Sequence, residues 1–206
     1  EMAQLAHLAF DLADRYRGPV ILLSDAMVGQ MMEPVDFEVL PEPDVPEKPW
    51  ALTGAKGRPH NVLRSLYLKQ EELEEFNRRL QEEYERIRST EVRCEQFHCE
   101  DADVLIVACG MTARIAKDVV LDPPKRLGAK VGLLRPITLW PFPSQEVADL
   151  AGRVRGILTV EMNAGQMVED VRLAVEGRCP VHLLGRPGGG FPEAAAMADQ
   201  LVSLFG

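Results

Sequence analysis

A polar turn in the second half of the chain carries the residue types that could bind a ligand or a partner. Residues 161–166 follow an apolar run directly and precede a helical pattern. Glu161, Asn163 and Gln166 offer a carboxylate and two carboxamides, with Gly165 between them. Such groups form charge-assisted and bidentate hydrogen bonds, so they could grip a partner backbone or orient a ligand. Capping of the next helix by Asn163 itself explains the same residues equally well.

A second turn is rich in glycine. Arg186 precedes Gly188, Gly189 and Gly190. Backbone amides of such a loop, together with a guanidinium group, can hold an anion. Glycine-rich loops alone are weak evidence for a site, and a plain flexible turn is the favoured alternative.

A third loop, residues 135–143, is apolar and rigid. Three prolines restrict its backbone, and Trp140 and Phe142 supply large hydrophobic side chains. Aromatic loops at the edge of a sheet are common interfaces, but single aromatic residues also cover the core of their own domain. The loop is therefore a candidate interface, with folding onto its own domain as the alternative.

We expect no catalytic residue and no metal site in this chain. The sequence has no Gly-x-Ser-x-Gly elbow, and its four histidines share no ligand spacing. The four cysteines form no Cys-x-x-Cys pair, so reduced core thiols are the favoured interpretation: Cys94, Cys99, Cys109 and Cys179.

Strands and helices must hold the three turns in place, and the hydrophobic periodicity predicts where these elements lie. Short apolar runs alternate with amphipathic segments of about ten residues, which is typical of parallel strands joined by helices. The predicted strands are 104–108, 130–134, 156–160 and 180–184, and the predicted helices are 112–121, 144–153, 165–175 and 192–204. The fold class is therefore an open, mostly parallel α/β sheet with helices on both faces. An edge strand is expected within 91–99, and Thr112 is expected to cap the helix that follows Cys109 and Gly110.

The first half of the chain has a different organisation. An amphipathic helix over 1–17 and an apolar strand at 20–23 read as the tail of a second α/β domain, truncated upstream, over 1–36. Residues 37–90 read as a linker that ends in a charged helix at 70–89, and residues 91–206 form the complete domain. Trp50 is the expected anchor of the linker. The prolines that interrupt regular structure there are Pro34, Pro41, Pro43, Pro46, Pro49 and Pro59.

Composition narrows the class of protein. Hydrophobic residues make up 46% and charged residues 27% of the 206 residues, a balance typical of a globular domain. The net charge of −9 and the absence of a basic cluster argue against a nucleic-acid partner. No apolar run is long enough for a membrane span and no signal peptide precedes the first helix, so we expect a cytoplasmic protein with no membrane partner.

Several segments in a fixed order carry a family resemblance: residues 9–20, 29–35, 50–54, 101–103, 131–143 and 161–166. At these segments the chain resembles the α subunit of the 2-oxoacid:ferredoxin oxidoreductases, most closely the branched-chain 2-oxoisovalerate type, also called 3-methyl-2-oxobutanoate dehydrogenase. The resemblance covers nearly the whole chain. It implies a C-terminal portion: the end of a pyrimidine-binding-like domain, a linker and a transketolase-C-terminal-like domain.

The resemblance also implies an activity for the assembled enzyme. That enzyme converts a 2-oxoacid to acyl-CoA and reduces ferredoxin, using thiamine diphosphate, Mg²⁺, [4Fe–4S] clusters and CoA. The implied partners are a thiamine-binding β subunit, ferredoxin-like or γ subunits and ferredoxin, in a dimer of heteromers. This chain would bind no cofactor and would be inactive alone. The alternatives are a 2-oxoglutarate- or pyruvate-specific member of the family, a transketolase relative, or a free-standing module that binds an anion or CoA.

Overall fold

The computed structural model describes residues 1–38, 42 and 47–206. Pro41, Pro43 and Pro46 of the predicted linker lie outside the described residues. The chain divides into two compact units. One contains residues 1–24 and 30–85, and the other contains residues 25–29 and 86–206.

A five-stranded sheet forms the centre of the second unit. In chain order its strands are β1 (Cys94–Phe97), β2 (Val104–Ala108), β3 (Val131–Pro136), β4 (Ile157–Glu161) and β5 (Val181–Gly185). Across the sheet the order is β1, β3, β2, β4, β5. Strand β1 pairs antiparallel with β3, and the other neighbours are parallel.

The central strands are apolar because both faces of the sheet are covered. Every residue of β2 and β4 is buried. Ile106 and Leu158 pack in one core cluster and Leu105 and Ile157 in the other, as expected when successive side chains point to opposite faces. The near-continuous apolar runs that predicted these strands therefore reflect double-sided burial.

Four helices provide that cover. In chain order they are α4 (Gly110–Leu121), α5 (Ser144–Ala151), α6 (Met167–Val175) and α7 (Ala194–Phe205). The first core cluster takes its helical residues from α4 and α7, and the second takes them from α5 and α6. A short 3₁₀ turn, Lys125–Leu127, precedes β3. The predicted fold class, an open and mostly parallel sheet with helices on both faces, is confirmed.

Helices α1 (Met2–Tyr16) and α3 (Gln70–Thr90) confirm the predicted helices of the first half, and a short helix, α2 (Ala26–Gln30), lies between them. The strand expected at 20–23 is not formed: the segment pairs with no described strand, and Ile21 is 79% exposed. An apolar run does not form a strand by itself, because a strand needs a neighbouring strand for its backbone hydrogen bonds. The guanidinium group of Arg17 lies 4.6 Å from the ring centroid of Trp50, so the predicted linker anchor is a cation–π contact.

Candidate functional site

The carboxyl edge of the sheet has a topological switch point between β2 and β4. From β2 the chain passes through α4 to β3 on one side, and it then returns through α5 to β4 on the other side. The loops after β2 and β4 diverge here, and ligands of open α/β sheets bind in such crevices. The turn at 161–166 and the Cys109–Gly110 turn both lie at this point.

Glu161 is the last residue of β4, and its side chain caps helix α6. The residue is 5% exposed. The N–H groups of Met167 and Val168 donate to its carboxylate at 2.8 and 2.9 Å. The N–H of Gln166 lies between both carboxylate oxygens, at 3.1 and 3.3 Å. A carboxylate at this position satisfies three otherwise unpaired amides and complements the helix dipole.

The rest of the turn is also held by local contacts. Asn163 Oδ1 accepts a hydrogen bond from the N–H of Gly165 at 2.7 Å. Gly165 has a φ of +111°, and a Cβ there would lie 2.8 Å from Leu183. Asn163 therefore does not cap α6, because the amide it bonds precedes the helix, and Glu161 supplies the cap. A ligand-orienting role for Glu161, Asn163, Gly165 and Gln166 stays a prediction.

Asp25 is the acidic residue at this edge that sequence analysis missed. Its Oδ2 accepts a hydrogen bond from the N–H of Met111 in the first turn of α4, at 3.1 Å. Its Oδ1 accepts one from the N–H of Val28 at 2.8 Å. Asp25 directly precedes helix α2, and this local N-cap signal was visible in the sequence, but its partner 86 residues away was not.

Thr112 does not cap α4 as expected. The helix begins at Gly110, so Thr112 lies inside its first turn. The Thr112 hydroxyl lies 2.7 Å from the carbonyl oxygen of Cys109 and 3.2 Å from that of Val160. It therefore bonds carbonyl oxygens, while the Asp25 carboxylate accepts from the helix amide.

The Cys109 thiol is close enough to both carboxylates for their charges to act on it. Burial raises the pKa of its thiol, and the negative charges of Glu161 and Asp25 raise that pKa further. The positive charge of Arg135 acts in the opposite direction. A thiol in this setting stays protonated at neutral pH, in agreement with the predicted reduced cysteine.

The predicted interface loop after β3 is anchored at its start. The N–H of Arg93 donates to the Thr138 hydroxyl at 2.9 Å, and the N–H groups of Ile137 and Thr138 donate to the Arg93 carbonyl. Phe142 packs against the second core cluster. Trp140, in contrast, is 53% exposed. Phe142 thus folds onto its own domain, and an interface role for Trp140 stays a prediction.

The guanidinium group of Arg186 is engaged by its own glycine-rich loop. Nη1 donates to the carbonyl oxygen of Phe191 at 2.8 Å and lies 3.9 Å from the Glu193 carboxylate. A Cβ at Gly190 would meet Arg186 Nε at 2.8 Å, so this glycine lets the loop close. Anion binding by Arg186, Gly188, Gly189 and Gly190 stays a prediction.

Among residues 1–38, 42 and 47–206, no group of three or more His, Cys, Asp or Glu side chains could hold a metal ion. The four cysteines are free thiols. Among the same residues, no helix has the length and apolar character needed to cross a bilayer.

Residues 102–197 match the family model described as pyruvate:ferredoxin oxidoreductase core domain II. The matched segment runs from the start of β2 into α7, so it contains the switch point and the parallel part of the sheet.

Two curated relatives come from Methanothermobacter marburgensis. Ketoisovalerate oxidoreductase subunit VorB is 45% identical over 206 residues, which cover 100% of this chain and 58% of the relative. 2-Oxoglutarate synthase subunit KorA is 30% identical over 207 residues, which cover 88% of this chain and 55% of that protein. The chain thus spans less than two thirds of the length of the curated relatives it matches.

A solved structure supports the fold. The 2-oxoglutarate:ferredoxin oxidoreductase from Magnetococcus marinus, with 2-oxoglutarate, coenzyme A and succinyl-CoA bound, superimposes with a TM-score of 0.53 at 16% identity. The match covers 68% of this chain and 24% of that one. Residues 102–197 of this chain are therefore similar to core domain II of the pyruvate:ferredoxin oxidoreductases, and the whole chain is similar to a ketoisovalerate oxidoreductase subunit.

Proposed function

We propose that this chain is the C-terminal portion of the α subunit of a thiamine-diphosphate-dependent 2-oxoacid:ferredoxin oxidoreductase. In this proposal its C-terminal domain is a structural and assembly element of the enzyme. The relatives are named as subunits of a ketoisovalerate oxidoreductase and of a 2-oxoglutarate synthase, which supports a function inside a larger assembly. Residues 1–36 would be the end of a pyrimidine-binding-like domain, 37–90 the linker and 91–206 the transketolase-C-terminal-like domain of a cytoplasmic enzyme.

The observation that carries the proposal is how the switch point is filled. The N-terminal amides of α6 donate to Glu161, and the Met111 amide of α4 donates to Asp25. Helix N-termini at a switch point are where doubly wound domains bind phosphate groups. Here the N-termini of α4 and α6 are both occupied by carboxylates of the chain itself, where a bound phosphate would otherwise lie. Such a site suits a domain that supports an assembly and leaves the diphosphate to a partner.

The donor sets of the described residues do not fit the cofactors of the assembled enzyme. A [4Fe–4S] cluster takes four thiolates. All four cysteines lie in or against the second core cluster, but among the described residues no three Cys, His, Asp or Glu side chains are grouped to hold a metal ion. No described acidic cluster would hold Mg²⁺. We therefore assign thiamine diphosphate, Mg²⁺ and the clusters to partner subunits and derive no catalytic step on this chain.

Trp140 is the proposed contact to a partner subunit. It is 53% exposed, and its neighbour Leu139 is 44% exposed. The loop is fixed at Arg93 and Phe142, so the apolar side chains are presented without a large loss of conformational entropy on binding. Tryptophan is enriched at the centre of protein interfaces.

The proposed substrate is a branched-chain 2-oxoacid. The chain is 45% identical to a ketoisovalerate oxidoreductase subunit and 30% identical to a 2-oxoglutarate synthase subunit. A 2-oxoglutarate- or pyruvate-specific enzyme is the less favoured alternative. A free-standing CoA-binding module is also less favoured, because Arg186 already bonds its own loop.

Calorimetry tests the cofactor assignment. We expect the chain to give no binding heat with thiamine diphosphate and Mg²⁺ or with CoA. Micromolar binding of thiamine diphosphate would overturn the assignment to a partner, and micromolar binding of CoA would favour the free-standing module.

Assembly tests the proposed contact. The protein is co-expressed with the thiamine-binding subunit of the same source, and complex formation is measured by size-exclusion chromatography. Trp140→Ala is expected to weaken the complex by at least about tenfold, as for an interface hot spot. The matched control is Leu173→Ala, an exposed apolar residue on α6. Equal assembly of the two variants would contradict the contact.

A further inference from the structure

The contact between Asp25 and helix α4 joins segments that are far apart in the chain. We propose that Asp25 is an internal anion of the switch point: its carboxylate closes the N-terminus of α4 and fastens residues 25–29 to the C-terminal unit. This inference is independent of the substrate and partners proposed above.

The two carboxylate oxygens of Asp25 serve two helices. Oδ2 accepts from Met111 N–H of α4 at 3.1 Å, and Oδ1 accepts from Val28 N–H of α2 at 2.8 Å. The carbonyl oxygen of Asp25 also accepts from the N–H of Gly29, at 3.0 Å. The short helix is therefore built on the same residue that reaches α4.

Gly110 provides the space for this contact. It has a φ of +57°, and a Cβ at this position would lie 2.9 Å from Asp25 Oδ2. A side chain would be strained by the backbone conformation and would also crowd the carboxylate. Cys109, the residue before the helix, makes no side-chain capping hydrogen bond. The cap of α4 thus comes from Asp25 and not from the adjacent sequence.

The division of the chain into units agrees with this assignment. Residues 25–29 group with 86–206, while the flanking residues 1–24 and 30–85 group with each other. Five residues of the first half are therefore an integral part of the C-terminal unit. A carboxylate in this position is stabilised by the positive end of the helix dipole, as a ligand phosphate would be.

Chemical rescue tests whether Asp25 occupies an anion-accepting helix end. Asp25→Ala in the full chain should lower the melting temperature by about 1–8 °C, the range expected for loss of a cap in a protein of this size. Sodium acetate should recover part of this loss in Asp25→Ala at the ionic strength of a chloride control. The wild type should not respond.

The matched control is Asp36→Ala, since Asp36 Oδ1 accepts from the N–H of Glu38 in an exposed turn. Acetate should not stabilise this variant. The proposal is overturned if Asp25→Ala melts like the wild type, or if acetate acts on it no more than on Asp36→Ala.

A second variant keeps the proposal testable if Asp25→Ala does not fold. Asp25→Asn keeps the size of the side chain and removes its negative charge. Burial, the charge of Glu161 and the charge of Asp25, in that order, raise the pKa of the Cys109 thiol, so the variant should lower this pKa. Alkylation of Cys109, followed by peptide mass spectrometry at fixed pH, should become severalfold faster, while Cys94 and Cys179 keep their rates. An unchanged Cys109 rate would place Asp25 away from the switch point and refute the inference.

Discussion

Glu161, the last residue of β4, accepts a hydrogen bond from the backbone N–H of Val168 at 2.9 Å, so the strand caps the helix that follows it. The same carboxylate also bonds the amide of Met167 at 2.8 Å. A strand end and a helix start are thereby fixed by one buried side chain.

Glu161→Gln should destabilise the domain. The amide has one oxygen in place of two and no negative charge, so at least one helix amide loses its acceptor. We expect a loss of about 1–3 kcal/mol in the free energy of unfolding, measured by urea titration. Glu169→Gln, an exposed residue in the first turn of the same helix, is the control and should change it by less than about 0.5 kcal/mol. Similar losses in both variants would contradict the capping role.

Thr159→Val should stabilise the protein. Thr159 is fully buried in β4, and its hydroxyl group has no hydrogen-bond partner. Valine has nearly the same shape and removes the cost of the buried hydroxyl, so the free energy of unfolding should rise by about 1 kcal/mol. Thr159→Ala leaves a cavity as well and should lower it. A lower melting temperature for Thr159→Val than for the wild type would show that the hydroxyl group is in fact satisfied.

Glu95 should make the stability depend on pH. A hydrogen bond from Lys117 and contacts with Arg135 lower the pKa of its carboxyl group in the folded state, and partial burial opposes them. Stabilisation by this residue is therefore present above the unfolded-state pKa and is lost as the pH falls through the lower folded-state pKa. The difference in unfolding free energy between wild type and Glu95→Gln should thus be largest near neutral pH and should shrink below about pH 4.

The control for this pH series is Glu100→Gln, an exposed position after β1. The free energy of unfolding of Glu100→Gln should equal that of the wild type at every pH of the series. If Glu95→Gln keeps the same difference from the wild type at pH 3 and pH 7, the ion-pair network does not stabilise the fold.

Gly165→Ala should cost more than Gly177→Ala. Both glycines have a positive φ, of +111° and +78° respectively. At Gly165 a Cβ would also lie 2.8 Å from Leu183 and 3.2 Å from Val168, whereas nothing lies within 4 Å at Gly177. Backbone strain should lower the free energy of unfolding by about 1–2 kcal/mol in both variants. The steric contact at Gly165 should add a further loss of about 1 kcal/mol or more. Equal losses in urea unfolding would show that the turn relaxes around the added methyl group.

The parallel sheet could be predicted from sequence because each of its strands is a short apolar run bounded by turn residues. The strand predicted at 104–108 is β2 as observed, Val104–Ala108. The run at 20–23 has the same local signal, but the described residues offer no neighbouring strand, so it stays extended and exposed. Local patterns report what a segment can form, while pairing depends on distant segments.

The candidate site was only partly predictable for a related reason. The pattern at 161–166 predicts a helix start, and capping by Asn163 is one of its two interpretations, but the observed cap is Glu161. Glu161 bonds amides five to seven residues ahead, a longer reach than an ordinary N-cap. Asp25 was missed altogether, because nothing in local sequence links it to Met111.

The capping role of Glu161 has a consequence for how this turn can vary among related sequences. The carboxylate is fixed to the sheet, so the number of residues between it and Val168 is set by geometry. An inserted or deleted residue in this stretch would carry the helix amides out of reach, so changes in length should be excluded here even where amino-acid exchanges are accepted. Gly188 and Gly189 have open space around them, although Arg186 closes their loop through the Phe191 carbonyl, so insertions should accumulate at these two glycines and not at 161–168.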